Sequence, residues 1–289
     1  MYFSSPLVDH VAQKVGVPTI PSYVPPMPME SHDTMTFYKR TKSFLGHVLT
    51  YLFWDRIIVN PEVELFRELV DPAFPHLNDL AKKCPLVMVN SNELYELPRP
   101  TLAKVINIGG LGIQLQQSKP LPEEIENIIA RGEGAVVFSF GSLTPARRMP
   151  ESWKEAFFKA FKRFPHIQFF VKYDGDDVNE MLSKNVHLMN WLPQMDLLYH
   201  PKTKAFITHA GYNSVQEAIH AGVPMICLAL FGDQPKNAKV TEKLGISVNL
   251  KKTAISEEAV VAALQEVLNN ERYRLKALKF FFINNRFGF

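Results

Sequence analysis

The sequence predicts an α/β protein whose C-terminal part is a doubly wound parallel sheet, and three observations carry that reading. From about residue 123 onwards, short apolar runs with β-branched centres alternate with segments of helical periodicity. Glycine, proline and small polar residues punctuate the changes of period. Of the 289 residues, 46% are hydrophobic, enough for well-formed cores in one large domain or two moderate ones.

Taken in order, residues 1 to about 30 are rich in proline, with PTIPSYVPPMPM from Pro18 to Met29, and read as an extended, turn-rich surface segment. Met35, Tyr38, Phe44, Val48 and Leu52 recur at helical spacing, and the pattern continues to about Leu69, so helices are expected to cover one face of a domain. PLVMVNSN (Pro85 to Asn92) and VINIGGLG (Val105 to Gly112) read as buried strands. Polar residues and two prolines between about Gln114 and Pro122 mark a linker, dividing residues 1–113 from residues 114–289.

Beyond the linker the alternation is regular. A helix is expected at Glu123 to Ala130, a strand at Ala135 to Phe140, a helix at Glu151 to Phe164 and a strand at Ile167 to Lys172. Further strands follow at His187, Lys204 to His209, Val223 to Phe231 and Ile246 to Leu250. Helices fall at Ala210 to Gly222 and Ser256 to Leu268. No internal repeat is visible.

Bulk properties exclude several functions. A net charge of +3, with Lys and Arg interspersed among Asp and Glu, disfavours nucleic-acid binding. Cys84 and Cys227 make neither a disulfide framework nor a metal cluster, and the nine histidines lack paired metal spacing. Asp174 and Asp176 spell an Asp-x-Asp pair but sit in the turn-like YDGDD, which reads as a solvated loop. No apolar run approaches the ~20 residues that span a bilayer, and the N-terminus lacks signal-peptide form, so the chain as written is expected to be soluble.

The stretch from Trp191 to Gln234 concentrates the chemistry. A strand ending at His209 runs into Ala210-Gly211 and a helix whose first turn holds Asn213 and Ser214. Its unpaired backbone N–H groups and dipole suit phosphate oxygens. Gly211 lets an anion approach closely, His209 can donate to phosphate, and Trp191 offers a flat face to a base. Glu217, one turn beyond Asn213, can accept from ribose hydroxyls. Asp233 and Gln234 follow the next strand, where open α/β sheets bind ligands, and can hold sugar hydroxyls.

Taken singly, each residue has a plainer reading. Trp191 can be a packing residue, His209 a satisfied strand-end histidine, Asn213 and Ser214 helix caps, and Asp233-Gln234 an ordinary loop and cap. Their joint order within one strand, turn and helix favours a nucleotide-sugar site. VVFSFGSLTP (Val136 to Pro145) runs a strand into Gly141-Ser142, but no G-x-G-x-x-G follows, and GGLG (Gly109 to Gly112) lacks a following helix. A nicotinamide or flavin enzyme is therefore disfavoured.

These residues resemble the UDP-glycosyltransferases that include the animal glucuronosyltransferases. The resemblance runs from SYVPPMP near Ser22 through MTFYKRTKSF, LPRPTLAKVINIGGL and VFSFGS to the helix ending near Asn270. It implies two Rossmann-like domains facing a cleft, the glycosyltransferase B-type fold, with the N-terminal, acceptor-side domain truncated here. It also implies that Trp191 stacks on uracil, Gln194 contacts the uridine and Glu217 binds the ribose. Ser142, His209, Asn213 and Ser214, with Gly211 at the turn, would hold the diphosphate, and Asp233 and Gln234 the sugar. Ala210 stands where many relatives carry glycine.

The implied reaction moves glucuronic acid or glucose from its UDP donor to a small lipophilic acceptor, with inversion, without a metal and without any cofactor beyond the co-substrate. The family's catalytic histidine and aspartate lie upstream of the matching region. His10 beside Asp9 and His32 beside Asp33 do not align with them and read as exposed loop or helix-end residues. A non-catalytic UDP-sugar-binding fragment, pairing as a homo- or hetero-oligomer with full-length relatives, is the alternative. The family implies the lumenal side of the endoplasmic reticulum membrane and a role in detoxification. The final FFFINNRFGF departs from the family's continuing helices.

Overall fold

The computed structural model describes residues 2–4, 7–114 and 119–287, and the chain divides into two compact units, Met1–Gly110 and Leu111–Phe289. Residues 115–118 of the expected linker lie outside the described residues.

The first unit is a parallel three-stranded sheet in the order β1 (Tyr2–Ser4), β2 (Val87–Val89), β3 (Val105–Asn107). Four helices accompany it: α1 (Asp9–Lys14), α2 (Phe37–Trp54), α3 (Asn60–Leu69) and α4 (Leu77–Lys83). Ala12, Val15 and Val17 pack with Ala81, Val87 and Val89 into its core.

Several expectations for this unit fail. The proline-rich N-terminal segment is no simple surface loop, because α1 precedes the prolines and Val24, Pro25 and Pro26 are buried. Asp9 Oδ2 accepts from the Met27 amide at 2.9 Å, and Pro26 packs so close to Gly46 that a Cβ there would fall 2.8 Å from Pro26 Cγ.

The second failure is the polarity of α2. Its buried residues are Ser43 and His47, whose side chains hydrogen-bond the Val24 carbonyl at 3.4 and 2.8 Å. Tyr38, Phe44, Val48 and Leu52, expected to face the domain, are exposed instead, Leu52 at 59%. The segment Val24–Pro26 needs a close-packed, donor-bearing helix face to satisfy its buried carbonyl. The small and polar stripe of α2 supplies that face, turning the apolar stripe outward.

A π-helical turn, Asp55–Val59, joins α2 to α3 and brings Asp55 into a buried polar cluster. His10, also expected to be exposed, is 6% accessible. Its Nε2 lies 3.2 Å from Asn78 Oδ1 and 3.3 Å from Asp55 Oδ1. Asp55 also accepts from Asn78 Nδ2 at 3.0 Å and Lys14 Nζ at 2.9 Å. Burial raises the Asp55 pKa, but the Lys14 and Asn78 hydrogen bonds outweigh it and hold the carboxyl below its ordinary value. Burial lowers the His10 pKa below 6.5 against the opposing pull of Asn78 and Asp55.

The second unit is a six-stranded, all-parallel sheet in the order β6-β5-β4-β7-β8-β9. The strands are β4 (Gly134–Ser139), β5 (Ile167–Lys172), β6 (Val186–Met189), β7 (Thr203–Thr208), β8 (Met225–Cys227) and β9 (Ser247–Asn249). In the unit's own count this is 3-2-1-4-5-6, the Rossmann order, whose switch point falls between β4 and β7. β4 and β7 are the central pair, fully buried along nearly all their length.

Helices α5 (Leu111–Gln114), α6 (Glu123–Ala130), α7 (Glu151–Lys162), α8 (Gln194–Tyr199), α9 (Tyr212–Ala221), α10 (Gln234–Leu244), α11 (Glu257–Asn269) and α12 (Glu271–Phe287) complete the unit. α7 and α11 pack together against Val136, Phe138, Phe169 and Ile207, with Phe161 stacked 4.1 Å from Phe169. α9 packs instead with α8, α10 and α12. The C-terminal residues continue as α12, and Gly222 (φ +66°) ends α9 where a Cβ would fall 3.2 Å from Phe281 Cβ. β8 is shorter than expected because Gln234 Oε1 takes the Leu230 and Phe231 amides, at 2.8 and 3.0 Å, out of the ladder. No helix among the described residues is long and apolar enough to cross a membrane.

The lowered His10 pKa means that the unfolded chain takes up a proton near pH 6.5 that the folded state resists, so stability falls as pH drops below that value. His187 and His209, also lowered by burial, act in the same direction. Urea midpoints are expected to decline between pH 7.5 and 5, with a shallower decline in His10→Gln. An unchanged slope in that variant would show that His10 carries none of the effect.

Candidate functional site

The residues singled out in the sequence cluster at the carboxyl ends of β4, β6, β7 and β8. At the switch point, Ser139 Oγ accepts from the Gly141 amide at 3.2 Å, and Gly141 turns the chain with φ +80°. A Cβ on Gly141 would lie 2.9 Å from His209 Cε1, and one on Gly211 would lie 2.6 Å from His209 Nε2. The two glycines therefore form the slot that holds the imidazole. Burial lowers the His209 pKa below 6.5, although the Asp233 charge opposes it, so the neutral ring is favoured. Its Nδ1 is buried and meets no hydrogen-bond partner among the described residues.

α9 opens directly from this turn. Its N-cap is Gly211, with no side-chain cap, so Asn213 and Ser214 occupy the first turn rather than capping it. Their backbone amides have no intrahelical acceptor and lie at the positive end of the helix dipole. Asn213 is exposed and Ser214 buried. Ala210, at φ +63°, is the one non-glycine residue in the left-handed region among those described, a conformation that costs about 1–2 kcal/mol without glycine. Thr208 Oγ1 accepts from the Ala210 amide at 3.3 Å, and Asn237 Nδ2 donates to its carbonyl at 3.0 Å.

Trp191 is 74% exposed and therefore no core residue. Lys172 Nζ sits 4.8 Å from its ring centroid and donates to the Gly141 carbonyl at 3.2 Å. Ser142 is exposed and lines a hollow with Thr144, Lys172, Asp174 and Asn190. The Thr144 hydroxyl there is buried without a partner.

Gln194 opens α8 and donates through Nε2 to Glu217 Oε2 on α9, a direct link between two expected ligand residues. Burial raises the Glu217 pKa, with Gln194 opposing. Asp233 precedes α10, and its Oδ2 accepts from Asn237 Nδ2 at 2.7 Å. Gln234 departs from a free ligand amide: it is 3% exposed, and its carbonyl oxygen is committed to the Leu230 and Phe231 amides. Only its Nε2 remains for a sugar.

Sequence reasoning missed Lys172, Thr144 and Asn237. The signal for Lys172 was a lysine closing the apolar strand IQFFVK, and for Asn237 an amide one helical turn beyond Asp233. Asp174 is exposed and pairs with Arg147 at 3.3 Å, as a loop carboxylate. No cluster of three His, Cys, Asp or Glu residues able to hold a metal occurs among the described residues, and Cys84 and Cys227 are free thiols.

A Rossmann-order sheet with a glycine-held imidazole, a helix N-terminus and an open indole at its switch-point edge defines a doubly wound α/β protein, with those groups where open α/β sheets place their ligand sites. The sequence profile described as UDP-glucoronosyl and UDP-glucosyl transferase matches residues 1–285, and the chain belongs to that family. Its match runs into the FFFINNRFGF end that had seemed foreign.

Among relatives, the putative UDP-glucuronosyltransferase ugt-50 of Caenorhabditis elegans is 32% identical over 279 residues, covering 93% of this chain and 53% of that protein. UDP-glucuronosyltransferase 1A7 of Mus musculus is 36% identical over 283 residues, 94% of this chain and 52% of that protein. The chain thus spans about half the length of the relatives it matches. The fold is shared with the solved glycosyltransferase of kitacinnamycin, at TM-score 0.63 and 20% identity, over 96% of this chain and 69% of that one. It is shared too with a UDP-glucose: anthocyanidin 3-O-glucosyltransferase solved with UDP, at TM-score 0.60 and 23% identity, over 73% and 52%.

The two glycines of the imidazole slot respond differently to substitution. Gly141→Ala is expected to cost about 1–2 kcal/mol in urea unfolding, because its φ is left-handed, and also to displace His209. Gly211→Ala, at an ordinary φ of −61°, is expected to act mainly through the ring, seen as a shift in the His209 imidazole NMR titration. Equal stability losses in the two variants would contradict the slot.

Proposed function

We propose that residues 114–289 form the donor-binding domain of a UDP-glycosyltransferase, with residues 1–113 on the acceptor side. The observation that carries this reading is the arrangement at the β4–β7 switch point, where Gly141, His209 and the α9 N-terminus converge in a chain of this family. The reaction is transfer of glucuronic acid or glucose to a hydroxyl of a small lipophilic acceptor, with inversion at the sugar carbon. It needs charge stabilisation on the departing diphosphate and a base for the acceptor proton. It proceeds without a cofactor beyond the UDP-sugar.

In this reading uracil stacks on Trp191 and the ribose bonds Glu217, which Gln194 orients while contacting the uridine. The diphosphate lies against Ser142, His209 and the first-turn amides of α9 at Asn213 and Ser214, with Gly211 permitting the approach. Lys172, already bridging Trp191 to the Gly141 carbonyl, adds positive charge, so side chains and backbone dipoles do the work a metal does elsewhere. The sugar meets Asp233 and the Gln234 amide. The whole enzyme works at the lumenal face of the endoplasmic reticulum membrane, and detoxification is its setting.

One observation favours the narrower alternative, a UDP-sugar-binding form that pairs with longer relatives. His10 is engaged by Asp55 and Asn78 and almost fully buried, so it is not placed to deprotonate an acceptor.

Calorimetric titration with UDP followed by a transfer assay separates the two. Binding with turnover supports the enzyme, binding without turnover supports the binding form, and no binding sinks both. Trp191→Ala is expected to weaken UDP by about 1–3 kcal/mol, by analogy with other aromatic base platforms. An unchanged affinity would show that the indole carries no base. Asp233→Ala is expected to spare UDP and weaken the UDP-sugar alone.

A further inference from the structure

Asn237 is 6% exposed, lies on α10 one helical turn beyond Asp233, and spends its side-chain amide on two acceptors at once. Nδ2 donates to the Ala210 carbonyl at 3.0 Å and to Asp233 Oδ2 at 2.7 Å. These acceptors belong to different segments. Ala210 lies in the turn between β7 and α9, which presents His209 and Gly211, and Asp233 lies in the loop between β8 and α10. An amide NH2 has two hydrogens, so one buried group is fully used in fixing one segment to the other.

Both acceptors need such a tie. Ala210 stands at φ +63° without glycine's freedom, and a strained residue persists only when its surroundings hold it. Asp233 does not cap α10 with its carboxylate, so no helix amide fixes its rotamer. Asn237 takes Oδ2 and so determines which way Oδ1 faces. From the opposite side of the loop, Gln234 Oε1 holds the Leu230 and Phe231 amides, leaving Asn237 as the tie toward β7.

We propose that Asn237 is a positioning residue that sets the distance and orientation of the Asp233 carboxylate relative to the turn carrying His209. It thereby controls how strongly the sugar of a UDP-sugar is recognised over UDP alone. The proposal rests on the donor-site reading and adds a determinant of sugar preference that touches neither base nor phosphate. The two parts of its role are separable. Losing the bond to Ala210 loosens the phosphate turn and affects every ligand, whereas losing the bond to Asp233 affects the sugar alone.

Calorimetry with UDP, UDP-glucose and UDP-glucuronic acid tests this on the wild-type chain and on Asn237→Ala, Asp233→Ala, the double variant, and Asn237→Ala combined with Ala210→Gly. Asn237→Ala is expected to lower UDP affinity a few-fold and to reduce the preference for UDP-sugar over UDP to that of Asp233→Ala. In the double variant the preference is expected to fall no further. Ala210→Gly, by relieving the strained turn, is expected to restore UDP affinity but not sugar preference.

A purely structural asparagine would weaken UDP and UDP-sugar by the same factor, and that result overturns the proposal. So does a preference that falls further in the double variant by the product of the two single effects. If the wild-type chain binds none of the three ligands, the donor-site reading fails and this proposal fails with it. If the wild type binds with a preference that Asn237→Ala retains, only the role of Asn237 fails.

Discussion

β4 is hydrogen-bonded along both edges, to β5 and β7, and buried along its whole length. From that central strand the chain builds outward, first through β5 and β6, then through β7, β8 and β9 on the other side. The helices follow suit: α7, after β4, packs with α11 into one core, whereas α9, after β7, packs with α8 and α12. The segments leaving Ser139 and Thr208 therefore part company, and the gap between them stays open at the carboxyl edge. The His209 imidazole partly fills that gap, and the two flanking positions must be glycine because a Cβ at either would strike the ring. Strand order, helix sidedness and the identity of two glycines thus follow from one constraint, a doubly paired central strand.

Much of this was legible in the sequence because it depends on local pattern. β4, β5 and β7 are six-residue strands with apolar centres, sufficiently β-branched or aromatic to declare themselves, and the parallel order follows from their alternation with helices. The placement of the candidate site residues at strand ends and helix starts was legible from their spacing. What failed depended on tertiary partners. The α2 pattern gives the helix correctly, but periodicity cannot say which stripe faces inward. The buried Val24 carbonyl, nineteen residues or more away in sequence, selected the stripe bearing Ser43 and His47. His10 was misplaced for the same reason, because its partners Asp55 and Asn78 are distant in sequence. Gln234 shows the limit in the site itself. A motif names the residue, and only the structure reveals that its oxygen is committed to the backbone.

The outward apolar stripe of α2 has a bearing on the first unit as a whole. Phe37, Phe44, Leu49 and Leu52 are each more than half exposed, as are Leu69 and Val70 at the end of α3. An exposed patch of this extent is unusual for a small unit in water. Burying it does not account for this unit's stability, which rests instead on the core between α1, α4 and the sheet and on the polar cluster at Asp55. Folding and surface chemistry are thus decoupled along the same helix. Its polar face binds the proline-rich segment, while its apolar face makes no contribution to the core.

In the proposed donor site, the electrostatics of the second unit bear on how a strongly anionic ligand would be tolerated at a strand edge. A site built from formal charges would have to bury them, and buried ions are costly unless paired. Here burial lowers the His209 pKa and raises that of Glu217, disfavouring the charged form of each. The attraction must then come from groups that carry partial charge without a desolvation penalty of that size: the first-turn amides of α9, the neutral imidazole N–H, and the Thr144 and Ser142 hydroxyls. Lys172 brings a full positive charge to this edge. It stays near solvent, balanced over the Trp191 ring and tied to the Gly141 carbonyl rather than to a carboxylate. Among the described residues that placement gives its charge no ion-pair partner. On the donor-site proposal the anion is met by pre-oriented dipoles and one tethered cation rather than by a set of buried formal charges.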